Sequence, residues 1–301
     1  MRRIWLGIAA ASLLSACSGD PFLDDVGGEV IPDIPLNITS DLEGITYNPV
    51  NQTLIVSGIS LDDGIVPTAY TRRRGLDRGG YEAYTFQDDA LDRHITAYVK
   101  AIDGTRAAIV LSGGQFGRVF GGGTYSRDGA FDPPSGGVNG GLVTYAGNYV
   151  GILNTAGDGG DLIPVDPGTP GEVIPDQAAE VVGSIFINAD FADNLVNGTV
   201  YDRTAVDIPG LIPVNQELLL TATEITSNGL FSGTVETISN AGTLNDIGVY
   251  GGIFGGTDAS AVAGSLFVDE HIGTGSLEHG LFVLSQCGTP NDDPICSQVN
   301  P

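Results

Sequence analysis

From residue 44 onward, apolar and polar residues alternate at a period of two, and Gly, Asn and Asp turns punctuate the alternation. That period sends successive side chains to opposite faces of an extended strand. Beyond the N-terminal leader, no ten-residue segment carries apolar residues at helical spacing. The 301 residues include 45 Gly and 16 Pro and only 16% are charged, so long helices have little support. An all-β protein is expected.

Seven strands are predicted in the first half, at 44–47, 53–57, 66–71, 81–86, 94–101, 107–111 and 118–126. Their turns fall at Asn48-Pro49, Asp62-Asp63-Gly64, Gly79-Gly80 and Asp103-Gly104. A break at 128–141, with Pro133-Pro134-Ser135-Gly136-Gly137, reads as a domain boundary. Eight strands follow, at 142–154, 179–191, 196–203, 217–225, 230–238, 247–254, 261–268 and 280–285. A long loop at 155–177 separates the first two, and Asp193-Asn194 and Ser227-Asn228-Gly229 mark hairpins. An even number of consecutive antiparallel strands suits an up-and-down barrel, which removes its edges by closing; a two-sheet sandwich is the other solution. Closure requires the strand at 142–154 to pair with the one at 280–285. The GlyGlyGly at Gly121, Gly122 and Gly123 is read as a bulge or a place of close packing.

The first residues are Met1, Arg2, Arg3 and an apolar run from Ile4 to Leu14, followed by Leu14-Ser15-Ala16-Cys17. A short cationic start and a short apolar core make a secretory signal, and the run is well below the ~20 residues that span a bilayer. The four residues ending at Cys17 resemble a bacterial lipobox. That resemblance implies cleavage after residue 16 and lipidation of Cys17, and Ser18 after it implies sorting to the outer membrane. Residues 17–40 then read as a tether, broken up by Gly, Pro and repelling Asp and Glu.

The formal charge is −25, from 12 Lys and Arg against 37 Asp and Glu; loss of Arg2 and Arg3 with the leader makes it −27. Such a surface is self-repelling and disfavours nucleic acid and anionic lipid, while leaving calcium or a basic partner open. Cys287 and Cys296 sit in a Gly/Pro/Asn/Asp tail, 287–301. In an exported chain two nearby cysteines are expected to form a disulfide, and no further Cys or His stands close enough to complete a zinc site.

The second half carries a recognisable series: Ala189-Asp190-Phe191-Ala192, Val196-Asn197-Gly198-Thr199-Val200, Gly229-Leu230-Phe231-Ser232-Gly233-Thr234-Val235, then Val249-Tyr250-Gly251-Gly252-Ile253-Phe254-Gly255 and Ala259 to Phe267. This order resembles the β-barrel domain of transferrin-binding-protein-B-like surface lipoproteins, over residues 136–286. Small and aromatic residues in alternation fit a tightly curved barrel. The resemblance implies an eight-stranded antiparallel up-and-down barrel, preceded at 41–135 by a smaller antiparallel "handle" domain. It also implies a lipid-anchored protein of the outer membrane, facing the periplasm or the cell surface.

No catalytic constellation stands out, so the chain is read as non-enzymatic, without cofactor or metal. There is no G-x-S-x-G elbow, and Gly273-Thr274-Gly275-Ser276 has Glu278 where a dinucleotide loop needs glycine. His271 and His279 read as exposed turn residues, and Asp158-Gly159-Gly160-Asp161 as a solvated loop. One basic run breaks the acidic pattern: Arg72, Arg73, Arg74 and Arg78. It is a candidate anion or partner contact, since Arg offers forked donors; pairing with Asp62, Asp63, Asp88 or Asp89 is the alternative. The chain is thus expected to be a monomeric, lipid-tethered interaction protein that captures a protein or small ligand by loops or barrel. The alternative is a structural outer-membrane lipoprotein with no dedicated ligand.

Overall fold

The computed structural model describes residues 29–30, 32–59, 66–134, 141–208, 212–213, 217–239 and 242–298. Cys17, Asp62 and Asp63 lie outside them. The protein is all-β, in two antiparallel sheets.

The first sheet, the handle, runs β1 (Glu29–Val30), β2 (Gly44–Asn48), β3 (Thr53–Ser57), β4 (Thr68–Arg72), β5 (Glu82–Phe86), β6 (Ile95–Ile102), β7 (Thr105–Ser112) and β8 (Gly121–Asp128), with a one-turn helix α1 (Leu36–Thr39) after β1. β2 to β8 form a meander in chain order, and β1 adds to the free edge of β8. This sheet is nearly closed on itself. Leu54, Val56, Tyr70, Tyr84, Val99 and Val110 fill its inner side.

The second sheet comprises β9 (Leu142–Ala156), β10 (Ala178–Asp190), β11 (Leu195–Ala205), β12 (Ile212–Pro213), β13 (Leu218–Glu224), β14 (Leu230–Ile238), β15 (Leu244–Gly255), β16 (Ala261–Asp269) and β17 (Leu277–Ser285). The order β10-β9-β17-β16-β15-β14-β13-β11, with a further β10–β11 pairing, closes eight strands into a barrel; β12 is a two-residue appendage on β11. The expected seam between first and last strands is present: Glu278 pairs with Leu153, His279 with Ile152, Gly280 with Gly151 and Leu281 with Val150.

The interior of the barrel is filled by side chains. Val262, Leu266 and Val268 of β16 point in, together with Tyr145, Tyr149, Phe231, Tyr250, Phe254 and Phe282. Large rings fit because their cross-strand partners are glycines: Phe282 faces Gly264 and Phe231 faces Gly252. A Cβ on either glycine would fall within 2.3 Å of the ring. Here small and aromatic residues are paired across strands, the arrangement that lets a sheet coil tightly.

A third cluster lies between the sheets. Tyr81, Tyr98, Ile109, Leu111 and Tyr125 of the handle pack on Val150, Ile152, Ile253, Leu281 and Val283 on the outside of the barrel. The handle is therefore clamped onto one wall of the barrel by apolar burial, the dominant favourable term in such packing. The glycines of β8 allow that approach: a Cβ on Gly123 would lie 2.3 Å from Ser265 Oγ, and one on Gly122 2.1 Å from Thr39 O. Close packing, not a bulge, is their role.

Two expectations need correction. Residues 32–40, read as the end of the tether, belong to the fold: Ile38 is fully buried, Ile34 nearly so, and Asp41 exchanges hydrogen bonds with Gly121 through its backbone N–H (2.9 Å) and its carboxylate (3.0 Å). The burial of Ile34 and Ile38 on either side of Pro35 outweighs the local Pro content. The strand expected at 118–126 starts only at Gly121, because Gln115–Arg118 forms a tight turn of its own.

Candidate functional site: a braced loop pole

The molecule has two unlike ends. At one, short turns meet: Ser260 Oγ donates to Asp103 Oδ2 (2.8 Å) and Arg127 donates to Asn228 O (2.7 Å). At the other, the handle segments 87–94 and 113–120 meet the barrel's long loop 157–177. That loop is tied down firmly. His94 Nε2 lies 3.1 Å from Asp161, Thr85 donates to Asp161 (2.7 Å) and the Arg73 guanidinium is 3.1 Å away. Burial pushes the His94 imidazole down, and the Asp161 charge only partly offsets it. Asp176 N donates to Gly114 O (2.9 Å).

The 113–120 segment is braced from below. Buried Arg93 donates to three of its carbonyls, Gly113 (3.3 Å), Gln115 (2.8 Å) and Arg118 (2.6 Å). The Gln115 amide donates to Leu91 O (2.8 Å) and Val173 O (3.0 Å), which joins both sheets. On this base stands Phe116, 65% exposed, with φ 53°, followed by Gly117 at φ 67°. A turn with two left-handed central residues favours Asn-Gly. A bulky aromatic at its first centre is strained, by roughly 1–3 kcal/mol. Beside it lies an open cleft of about 430 Å³, lined among others by Arg118, Asn154, Glu172, Ile174 and Asp176. Leu91 and Ile163 are also exposed on this pole, as are Asp88, Asp89, Asp92, Asp158 and Asp166.

The four arginines of the basic run go to separate partners. Arg72 forks onto Asp77 (2.5 and 2.7 Å) with Glu82 at 3.6 Å; Arg73 meets Asp161; Arg74 donates to Gln52 (2.6 Å); Arg78 lies 2.7 Å from Glu180 of β10. Asp88 and Asp89 are not among these partners. Arg73 and Arg74 remain exposed.

The histidines are not exposed turn residues, and they do not face each other. Even-numbered residues of β17 point into the barrel and odd ones toward the handle, so His279 faces out, whereas His271, on the hairpin before β17, meets the inward Glu278. His271 is buried inside, with Nε2 3.0 Å from Glu278, which is itself paired with Arg203 and accepts from Tyr149 Oη (2.5 Å). Burial alone would raise the Glu278 carboxyl; Arg203, His271 and Tyr149 outweigh it and hold it at about 2. His279 is buried outside, against Phe267, and burial lowers it to about 4. Glu180 lies between the sheets, where burial, opposed by Arg78 and reinforced by Asp207, raises it to about 7. Among the described residues no group of three His, Cys, Asp or Glu is arranged to hold a metal. Cys287 and Cys296 form the expected disulfide.

The fold is thus a closed eight-stranded barrel carrying a β handle on its wall. Among solved structures the chain is similar to a double mutant of transferrin binding protein B from Haemophilus parasuis Hp5, at 13% identity and TM-score 0.41, covering 77% of this chain and 40% of that one. It is similar to isotype 1 transferrin binding protein B from serogroup B Neisseria meningitidis, at 13% and 0.35, covering 81% and 51%. It is also similar to a surface lipoprotein, at 16% and 0.36, covering 80% and 95%. The chain therefore spans about half or less of the two transferrin binding proteins. No family model matches the chain, and no curated protein does.

Proposed function

We propose that this chain is a lipid-anchored envelope protein that captures a protein partner at the loop pole. The observation that carries this reading is Phe116: a strained, exposed aromatic on a turn that a buried arginine and a two-sheet glutamine brace hold rigid. Left-handed strain at a bulky residue persists where the surroundings over-determine it, and such positions cluster at binding sites. A rigid aromatic anchor is also the residue type that dominates interface energetics. The partner fitting this pole has an apolar pocket for the ring within a basic face, complementary to the acids around it. Arg73 and Arg74, off the pole's centre, are candidate contacts at its rim. A filled barrel interior supports loops, not the lumen, as the capturing surface.

Orientation supports the same reading. β1 joins β8 at Arg127 and Asp128, the end away from the loop pole. Glu29 and Val30 thus lie at the opposite pole, so an anchor at Cys17, upstream of them, leaves the loop pole at the far end of the fold from β1.

The test substitutes Phe116 by Asn, which suits the turn. Immobilised residues 18–301 are challenged with envelope and medium proteins. The variant should be more stable by about 1 kcal/mol, from relieved strain, yet retain a captured protein at least tenfold less. Equal retention by both forms would overturn the reading.

A further inference from the structure

The seam that closes the barrel is split. β17 and β9 are paired from Glu278–Leu153 to Leu281–Val150, and a bridge joins Tyr145 to Gln286. The register is the same at both places, since 281 + 150 and 286 + 145 give the same sum. No residue has slipped, yet no ladder pair joins 146–149 to 282–285. The strands part there and rejoin.

What stands in the gap comes from the handle. Tyr81 Oη donates to Asn148 O (2.6 Å) and accepts from Val283 N (3.1 Å). Residues 148 and 283 are the pair that the shared register would have put opposite each other. One phenol thus replaces a direct strand-to-strand hydrogen bond, and both buried backbone groups depend on it. The ring itself is fully buried, beneath the Lys100 ammonium at 4.7 Å from its centre.

Tyr81 sits at the end of a tight turn, Arg78-Gly79-Gly80-Tyr81, closed by hydrogen bonds between Arg78 and Tyr81. Gly79, at φ 54°, lies so near Asn148 that a Cβ would come within 2.6 Å of its Cβ. Arg78 reaches past the seam to Glu180 on β10. The turn therefore grips β9, β10 and β17 together.

We propose that the Arg78–Tyr81 turn is a peg in the barrel seam, so that docking of the handle and closure of the wall between β9 and β17 are one cooperative event. A load that lifts the handle opens the seam at Val283. This goes beyond capture at the loop pole: it rests on the seam geometry and holds whichever partner binds. The device has two states of one element, as coupling between distant sites requires.

Amide hydrogen exchange tests it, with Leu281, paired within the ladder, as internal control. Tyr81→Phe removes only the hydroxyl; Arg78→Gln loosens the peg without touching Val283. Each should speed exchange at Val283 at least tenfold more than at Leu281. In the wild-type protein under rising urea, Val283 should exchange through an opening shared with the Tyr81–Lys100 amides and below global unfolding. Equal acceleration of Val283 and Leu281, or no change at Val283 in Arg78→Gln, would overturn the proposal. If Tyr81→Phe does not fold, the urea series decides: exchange of Val283 only with global unfolding refutes it.

Discussion

Two buried glutamates, one on each side of the barrel wall, are held in opposite ways. Glu278 of β17 points inward and Glu180 of β10 points outward, and neither side chain is exposed. Inside, Arg203, His271 and Tyr149 surround one carboxylate, and its acidity increases. Outside, Glu180 shares one arginine with a second acid, Asp207, whose carboxylate accepts from the Glu180 backbone N–H (2.7 Å), and its acidity falls. The inner carboxylate draws every partner from the barrel itself. The outer one depends on Arg78, which the handle supplies. The lesson is that the barrel lumen is self-sufficient while its outer wall is conditional on what packs against it.

The largest expected effect comes from breaking the inner side. Arg203 is the one Lys or Arg between 136 and 286, where there are 18 acids. Arg203→Ala leaves Glu278 charged, buried and without its cation, which should destabilise by about 3–5 kcal/mol. The double variant Arg203→Met with Glu278→Leu, which removes both charges and keeps volume, should recover most of that loss. Urea denaturation of the three proteins measures it. If Arg203→Ala is as stable as the parent, the lumen is not held by this pair.

The outer side should show itself in the pH profile. The folded Glu180 carboxyl is raised above its unfolded value near 4.5, so the folded state holds more protons than the unfolded chain between pH 4.5 and 7. The Glu180 contribution to stability therefore falls as pH rises through that window, by an amount on the order of 3 kcal/mol. Glu278 acts with opposite sign: its stabilisation is full above pH 4.5 and is lost as pH falls toward 2. Buried neutral His279 has the sign of Glu278: its stabilisation is lost as pH falls from 6.5 to about 4, so between pH 4.5 and 6.5 it opposes Glu180. Glu180→Gln removes only the falling contribution, so its stability relative to the wild type should rise with pH between 4.5 and 7 and be level below pH 4.5. A difference between the two proteins that does not change across that window would place the responsible proton elsewhere.

How much of this was legible in the sequence follows from which contacts leave a local trace. All fifteen expected strands are present, most within two residues, because each has one buried face and period-two alternation records it. Closure was legible too, since Tyr145, Tyr149 and Val150 at one end and Phe282 to Leu284 at the other are apolar strands that need partners. Arg93, Asp161 and Tyr81 left no such trace. Each acts on groups 20 to 200 residues away, Arg93 within the handle and the other two across sheets, and nothing in its neighbourhood distinguishes it from a surface residue. The histidines look exposed in the sequence for a related reason: whether a hairpin end is exposed depends on what covers it, here the handle and Arg203. One signal was available and informative, the lone arginine in an acidic half-chain.

The smallest effect should come from the disulfide, and it sharpens the comparison by testing the outer wall where the C-terminal tail covers it. The tail after β17 lies along β9: Cys287 N donates to Thr144 O (2.8 Å) and Gln286 bridges Tyr145. The Cys287–Cys296 bond closes a ring with a sequence separation of 9. Chain entropy allows at most about 2–3 kcal/mol for a ring of this size, and less where the tail is exposed. The bond lies in the tail beyond β17, whereas the Glu278 cluster lies at the other end of the seam. Reduction should therefore leave the barrel folded and lower its stability by about 1 kcal/mol. Faster amide exchange should be confined to residues 287–298 and the start of β9. Protection at Phe231, Val262 and Leu266, inside the lumen, should not change. If reduction instead exposes those amides, the tail is part of what closes the barrel, and the division between a self-sufficient lumen and a conditional outer wall is wrong at this seam.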